Sequence, residues 1–368
     1  MAVAVVAVVA FALLATVVLK PDSQPSPTIS AVDSPVSSAA PQVEQSQFSA
    51  AASQEVRRVS KRVSKNAVSA YEWRRLDLTP LTSLTQPFGS IAKYGIKTVS
   101  LDLSYVVDLS EIANPTQRAA AQQAATKKLR SYVKAANKRG LVVEALAGDP
   151  RWMEPEVRYV NQIVQRYVTQ FNRGVKSAKA KLVATHFDIE PWGRPDWASN
   201  RAILTRQFLD TIKDIVAYQK SLPATDRVPV NVDLPFWWDG TTAPKSVKYG
   251  SRSASPTAHV MRLLDPGAKS KVRNGVTVMA YRDSTSGPDG SVALASKEFS
   301  LAKQHKGRVK VSVAHEIGNV EPARITFHEE GAAAMKRSMK VHKKRFSGHK
   351  AWGGLAVDHV QALHGKLK

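Results

Sequence analysis

The chain contains 368 residues, of which 43% are hydrophobic, so it can bury a large core without disulfide or metal staples. It contains no cysteine, which excludes disulfides, thiolate metal sites and cysteine nucleophiles. Its formal net charge of +23 favours contact with polyanions such as acidic cell-wall polymers or anionic membrane surfaces. No nucleic-acid-binding motif accompanies the basic residues, so no specific nucleic-acid partner is predicted.

The N-terminal residues predict an export or anchoring segment. Residues 2–19 are apolar and uncharged, and eighteen such residues are about the minimum for a membrane-spanning helix. A signal peptide usually has a shorter apolar region with Lys or Arg before it. Residues 1–20 are therefore predicted to be a signal anchor, with a cleaved signal peptide as the alternative. We expect an extracellular or cell-surface protein, tethered by residues 2–19 if they are retained.

A polar linker is predicted after the apolar segment, over residues 21–66. Ser, Pro, Ala and Gln dominate it, and this composition buries too little apolar surface to offset the entropy of ordering. We expect a disordered stalk. Its end, residues 57–65, is rich in Lys and Arg. Such a run can contact anionic lipid or wall polymer, or it can be a solvated tail.

Residues 67–368 predict a single (β/α)₈ barrel. Eight short apolar runs alternate with amphipathic stretches, and near-continuous β-branched runs are typical of parallel strands buried on both faces. The runs are residues 75–78, 98–103, 141–146, 184–190, 228–233, 276–281, 309–314 and 353–357. Helical spacing is clearest over residues 117–137, 159–171 and 203–218. An open doubly wound sheet is the alternative, but no Gly-rich phosphate turn follows the first run.

Acidic and aromatic residues occur where the predicted strands end. In such barrels the strand C-termini form the functional face. Aromatic rings can stack on the C–H faces of sugars, while carboxylates accept hydrogen bonds from sugar hydroxyls. The pattern therefore predicts a polysaccharide substrate. The candidate substrate-binding residues are Asp102, Glu144, Trp152, Trp192, Asp233, Trp237, Trp238, Asp283 and Asp358.

The most specific motif is Asp188-Ile189-Glu190 at the end of the fourth run. Residues two apart in a strand point the same way, so both carboxyls are expected at the barrel mouth. Two close carboxylates cannot easily both ionise, and the pKa of one rises. A carboxylic acid that stays protonated near neutral pH can protonate a glycosidic oxygen. Structural roles, as a helix cap and a salt-bridge acid, are the alternative.

Asp188-Ile189-Glu190 resembles the end of the Asp-x-x-Asp-x-Asp-x-Glu strand of family 18 glycoside hydrolases, the chitinase group. Met279-Ala280-Tyr281 is similar to that family's strand-six motif. This resemblance implies that Glu190 is the catalytic acid and that Asp188 steers a substrate acetamide. It also implies that Tyr281 supports the acetamide as nucleophile.

A second resemblance concerns Glu190-Pro191 after strand four and Glu316 after strand seven. Their placement is similar to that of the acid/base and the nucleophile in the large clan of retaining barrel glycosidases. Residues 278–283 and 325–331 also resemble uncharacterised bacterial barrel proteins related to glycosidases. The candidate catalytic residues are thus Glu190, Asp188, Glu316 and Tyr281.

Three functions remain open on the sequence alone. The first is a glycoside hydrolase that uses carboxyl groups as general acid and base, with no cofactor and no metal. The second is a sugar-binding barrel without catalysis. The third is a basic surface protein that holds acidic polymers. The sugar, the linkage, the stereochemical outcome and the oligomeric state are not predicted.

Overall fold

The computed structural model describes residues 67–240 and 244–368, which contain a closed barrel of eight parallel strands. The strands are β1 (Val68–Glu72), β2 (Thr98–Asp102), β3 (Val142–Ala147), β4 (Thr185–Phe187), β5 (Val230–Pro235), β6 (Gly275–Met279), β7 (Lys310–Glu316) and β8 (Trp352–Asp358). Each strand pairs with its neighbour in this order, and β8 pairs with β1. The predicted (β/α)₈ barrel is confirmed. The predicted apolar segment and linker, residues 1–66, lie outside the described residues.

Helices connect the strands on the outside of the barrel. They are α1 (Leu81–Thr85), α2 (Phe88–Tyr94), α3 (Tyr105–Glu111), α4 (Pro115–Lys138), α5 (Val160–Arg173), α6 (Trp197–Ser221), α7 (Pro256–Leu264), α8 (Ser291–Lys303), α9 (Gly331–Phe346) and α10 (Val360–Gly365). A two-stranded antiparallel hairpin, Val247–Tyr249 with Arg252–Ala254, precedes α7. The three predicted helical stretches fall within α4, α5 and α6, apart from one residue at the start of α5.

Helix α4 shows how local sequence sets an element's bounds. The Asn114 side chain accepts hydrogen bonds from the amides of Thr116 and Gln117, and Pro115 occupies the first helical position. Both features favour a helix start. The helix ends just before Gly140, whose φ of 73° suits a residue without a side chain.

The first strand was predicted in the wrong place. Residues 75–78 form a turn, in which the Thr79 amide donates to the Arg75 carbonyl, and Leu78 is 73% exposed. Arg75 forms ion pairs with Asp77 and with Asp108, and the first of these stabilises the turn locally. The true first strand, β1, lies closer to the N-terminus, immediately after the basic run.

The core has two parts, inside and outside the barrel. Valine, leucine and phenylalanine side chains of the strands pack outward against the helices. A smaller group meets inside the barrel and consists of Tyr71, Leu146, Met279, Ala314 and Ala356. Because all eight strands are parallel, their C-terminal ends meet at one opening, which we call the mouth. Within residues 67–240 and 244–368, no helix is long and apolar enough to cross a membrane.

Candidate active site

Five carboxyl groups converge at the mouth, and we call them the mouth carboxyls. Four of them lie at or just beyond the C-terminal end of a strand, whereas Asp233 lies two residues before the end of β5, and their charges act on one another. They are Asp188, Glu190, Asp233, Glu316 and Asp358. The barrel therefore brings together acids that are up to 170 positions apart in the chain, which no local motif could do.

Glu190 occupies an unusual backbone conformation. Strand β4 ends at Phe187, so the predicted strand through residue 190 is too long. The φ and ψ angles of Glu190 are 47° and 62°, in the left-handed region that few residues other than glycine adopt. Pro191 follows and disfavours the right-handed helical conformation at this position. The chain therefore turns sharply at Glu190, and such strain is concentrated at functional sites.

The end of β3 allows this turn to pack closely. A Cβ atom on Gly148 would lie 1.7 Å from the backbone oxygen of Asp188. Only glycine permits this approach, which accompanies the hydrogen bond from the Asp188 amide to the Ala147 carbonyl. The position of Asp188 is thus fixed by backbone contacts with its neighbouring strand.

Glu190 has the electrostatics of an acid catalyst. Burial and the charges of Asp233 and Asp358 raise the pKa of Glu190 to about 7, against an opposing hydrogen bond from Trp192. The pKa of Asp188 is raised well above its usual value by burial and by the charge of Glu190. Burial and the neighbouring charge therefore favour the protonated form of Asp188, and Glu190 is partly protonated near neutral pH.

Glu316 and Asp358 form a carboxyl pair on adjacent strands. They occupy the same register position of β7 and β8 and are joined by a side-chain hydrogen bond. Burial and the charge of Asp358 raise the pKa of Glu316 to about 9. The Glu316 Oε1 also accepts from the amides of Ile317 and Gly318. Burial also raises the pKa of Asp358, but hydrogen bonds from the Trp73 indole, at 2.8 Å, and from Glu316 oppose this shift, so the proton of the pair is favoured on Glu316.

A buried hydrogen-bonded centre lies below the mouth. His186 Nδ1 is 3.1 Å from Glu144 Oε1, and its Nε2 is 3.0 Å from Asp233 Oδ1. Burial opposes protonation, but Asp233 and Glu144 outweigh it and raise the pKa of His186 well above its usual value. Tyr71 donates to the same Asp233 oxygen at 2.7 Å. The histidine is therefore a buried cation between two carboxylates.

This centre changes the roles expected for two predicted residues. Glu144 is 6% exposed and also accepts from Ser100 at 2.5 Å and from Asn231 at 3.3 Å, so its oxygens are engaged by protein groups. Asp233 is 1% exposed. Both were predicted to bind substrate, yet in this arrangement they support the mouth from within the barrel.

Tyr281 lies among the mouth carboxyls. Burial and the charges of Asp358 and Glu316 raise the pKa of Tyr281 well above its usual value. Its phenol therefore stays protonated and can serve as a hydrogen-bond donor in the mouth. It also packs against the group of residues inside the barrel.

An aromatic cluster follows β4 and β5. Trp192 contacts Trp237 and Trp238 at ring-centroid distances of 5.6 and 5.1 Å. Trp192 and Trp237 are partly exposed, so they can offer ring faces to a ligand. Trp238 is fully buried and packs edge-on against Phe208 at 5.2 Å. Trp238 was predicted to bind substrate, but its buried ring instead packs against Trp237 and supports it.

The other predicted binding residues contact groups other than the mouth carboxyls. Asp102 is 7% exposed and accepts from the Ser104 amide at 2.8 Å, which stabilises the turn into α3. Trp152 is 8% exposed and belongs to the outer core. Asp283 is partly exposed in the loop after β6, where its amide donates to the Arg324 carbonyl.

Three residues of the site were missed by sequence reasoning. Tyr71 lies in β1 and Trp73 directly follows this strand. Both were missed because the first strand was predicted at a later position in the chain. His186 lies on a predicted strand but belongs to no metal or catalytic histidine motif. The one available signal was its position two residues before Asp188, on the same face of the strand. Among the described residues, no three His, Asp or Glu side chains are arranged to hold a metal ion.

Comparisons with known proteins concern the barrel alone. No protein-family model and no curated protein matches the sequence. Similar solved structures include the β-amylase catalytic domain of Paenibacillus polymyxa (TM-score 0.47, 9% identity, covering 82% of this chain and 94% of that one). A family 18 chitinase from Cycas revoluta, in complex with allosamidin, has a TM-score of 0.46 and 11% identity, covering 82% of this chain and 97% of that one.

A chitinase from Bacteroides thetaiotaomicron is similar at a TM-score of 0.46 and 12% identity, covering 83% of this chain and 96% of that one. Enzymes of other reaction classes, such as tryptophan synthase from M. tuberculosis, also resemble the chain. The structures similar to this chain thus include glycoside hydrolases among other barrel enzymes. Likeness at these values assigns no activity to this chain.

Proposed function

We propose that this protein is a glycoside hydrolase that cleaves a polysaccharide outside the cytoplasm. The observation that carries the proposal is the convergence of the mouth carboxyls beside the partly exposed Trp192 and Trp237. Hydrolysis of a glycosidic bond needs one carboxyl that donates a proton and a second that acts as an anion. It also needs a surface that holds sugar rings, for which aromatic faces are suited.

Glu190 is the proposed acid. Its pKa of about 7 keeps a proton available near neutral pH, where a catalytic acid is most effective. It would protonate the leaving oxygen as the bond to the sugar breaks. Asp188, whose backbone packs closely against Gly148, would position Glu190 and, in its protonated form, supply a hydrogen-bond donor of its own.

Asp358 is the proposed anion, with Glu316 as its proton-bearing partner. The resemblance to retaining barrel glycosidases implied that Glu316 is the nucleophile, but a carboxyl with a pKa of about 9 carries a proton at neutral pH. The negative charge of the pair then lies on Asp358, which Trp73 orients. This carboxylate would stabilise positive charge on the sugar ring, and Tyr281 would donate a hydrogen bond nearby.

The test is release of new reducing ends by the full-length protein from chitin, peptidoglycan and other amino-sugar or acidic polysaccharides. The proposal expects release from at least one of them. Binding to a polysaccharide with no release from any would contradict hydrolysis and assign the mouth to sugar binding.

The two adjacent tryptophans are expected to respond differently to substitution. Trp237→Ala should weaken polysaccharide binding roughly three- to tenfold, because one partly exposed ring face is lost. Trp238→Ala should instead lower the free energy of unfolding by about 3–5 kcal/mol, because a fully buried ring leaves a cavity. Binding isotherms and denaturant titrations of both variants measure these effects. Equal loss of binding without loss of stability in Trp238→Ala would contradict the assignment.

A further inference from the structure

The face opposite the mouth is strongly basic. Seven connections lead from a helix to the next strand at this end of the barrel, and they are residues 95–97, 139–141, 174–184, 222–229, 265–274, 304–309 and 347–351. We call them the basal connections. Every one of them contains Lys or Arg, and their only acidic residues are Asp226 and Asp265. Both acids are ion-paired, with Arg173 and Arg308 respectively.

This excess of charge goes beyond what helices require. Basic residues in the last turn of a helix stabilise its dipole, and they occur here in several helices. The basal connections lie outside the helices, so that explanation does not cover their own lysines and arginines. The barrel is therefore polarised, with carboxyls gathered at the mouth and cations at the opposite face.

A groove gives this face a place where a chain could lie. It runs between the C-terminal part of α4 and residues 174–180, with a volume of about 640 Å³. Its cations are Arg130, Lys134, Lys138, Lys176 and Lys179, and no acidic residue lines it. Among the described residues, none of the four lysines has an ion-pair partner.

The groove's shape is held by hydrogen bonds rather than by opposite charges. Asn137 Nδ2 donates to the Lys179 carbonyl at 2.6 Å, and Arg130 donates to the Gly174 carbonyl at 3.3 Å. These bonds join helix α4 to the basal connection that forms the other wall. The four lysine side chains are exposed and remain available to an external anion.

We propose that this groove binds a linear polyanion with repeated phosphate groups, and that binding directs the mouth away from that polymer. A groove with several unpaired lysines matches a chain of regularly spaced charges. A membrane is disfavoured because the exposed large apolar residues of the described chain, Trp73, Leu78, Tyr159, Ile203 and Val341, all lie outside the basal connections. The proposal is independent of the chemistry at the mouth.

The test measures binding of full-length protein to fluorescently labelled linear polyphosphate across a range of salt concentrations. The groove variant is Lys134→Gln, Lys176→Gln and Lys179→Gln combined. The matched control combines Lys127→Gln, Lys213→Gln and Lys297→Gln, which removes the same charge from exposed positions within helices. The N-terminal basic run is the same in all three proteins, so differences between them report on the groove.

We expect the groove variant to raise Kd on the order of tenfold at 50 mM salt, with about twofold or less in the control. The slope of log K against log salt should become less steep by about 2, because each contact with a single-stranded polyanion contributes about 0.7 and three contacts are lost. Equal weakening in both variants, or no polyphosphate binding by the unmodified protein, would overturn the proposal. Groove-dependent capture on phosphatidylglycerol vesicles without polyphosphate binding would overturn it as well.

Discussion

Glu190→Gln is expected to lower kcat on a polysaccharide by roughly 10²–10⁴, because the variant has no proton to give to the leaving oxygen. Binding of the polysaccharide should change little, since glutamine is nearly isosteric with glutamic acid. The control is Glu329→Gln, which makes the same substitution at an exposed site before α9 and should retain full activity. Initial rates and binding isotherms of the three proteins measure the effect.

The leaving group offers a sharper discrimination. In an aryl glycoside made with a strongly acidic phenol, the phenolate leaves without being protonated. Glu190→Gln should therefore lose far less activity on this substrate than on the polysaccharide. A uniform loss on both substrates would show that Glu190 contributes to structure or binding rather than to proton transfer. The proposed acid role would then be wrong.

His186→Leu is expected to lower the free energy of unfolding by about 3–5 kcal/mol, because it leaves Glu144 and Asp233 buried without their shared cation. The sign of the pH dependence follows from the two shifted groups. Because the pKa of His186 is raised in the folded state, its protonation stabilises the fold fully below about pH 6.5. This stabilisation is lost as pH rises through the pKa of His186 in the folded protein. The lowered pKa of Glu144 stabilises it above about pH 4.5. Denaturant titration near pH 6 therefore shows the full effect.

His315→Leu is the matched control for this prediction. His315 is also 2% exposed, but it lies against Phe327 and His342, and its ring contacts no carboxylate among the described residues. Burial and the neighbouring His342 lower its pKa well below the usual value, so it is neutral. We expect a change within about 1.5 kcal/mol. A comparable loss of stability in both variants would contradict the buried cation at His186.

The sequence predicted the barrel well because its strands carry local signals. Seven of the apolar runs overlap observed strands, since β-branched runs between polar turns need little tertiary information. The first strand was misplaced because the apolar residues at 76 and 78, which resemble a short strand, lie in a turn stabilised by Arg75 and Asp77, while the strand itself is Val68–Glu72.

The site was predicted in composition but not in roles. Strand-end positions located the mouth carboxyls, because parallel strands end at one opening. The sequence could not show that Asp233 and Glu144 are occupied by His186, or that Glu316 is paired with Asp358. Those pairings depend on the register between strands and on burial, and neither is encoded in a local motif. The same holds for Trp237 and Trp238, which are neighbours in sequence but differ in exposure.

The most direct measurement is a ¹³C NMR titration of the glutamate carboxyls in the full-length protein, with Glu190 assigned from the signal missing in Glu190→Gln. We expect a midpoint of about 7 for this carboxyl. We also expect a lower midpoint in Asp358→Asn, because one negative charge beside Glu190 is removed. A midpoint near the ordinary value of 4.5, unmoved by Asp358→Asn, would contradict an acid held protonated at the barrel mouth.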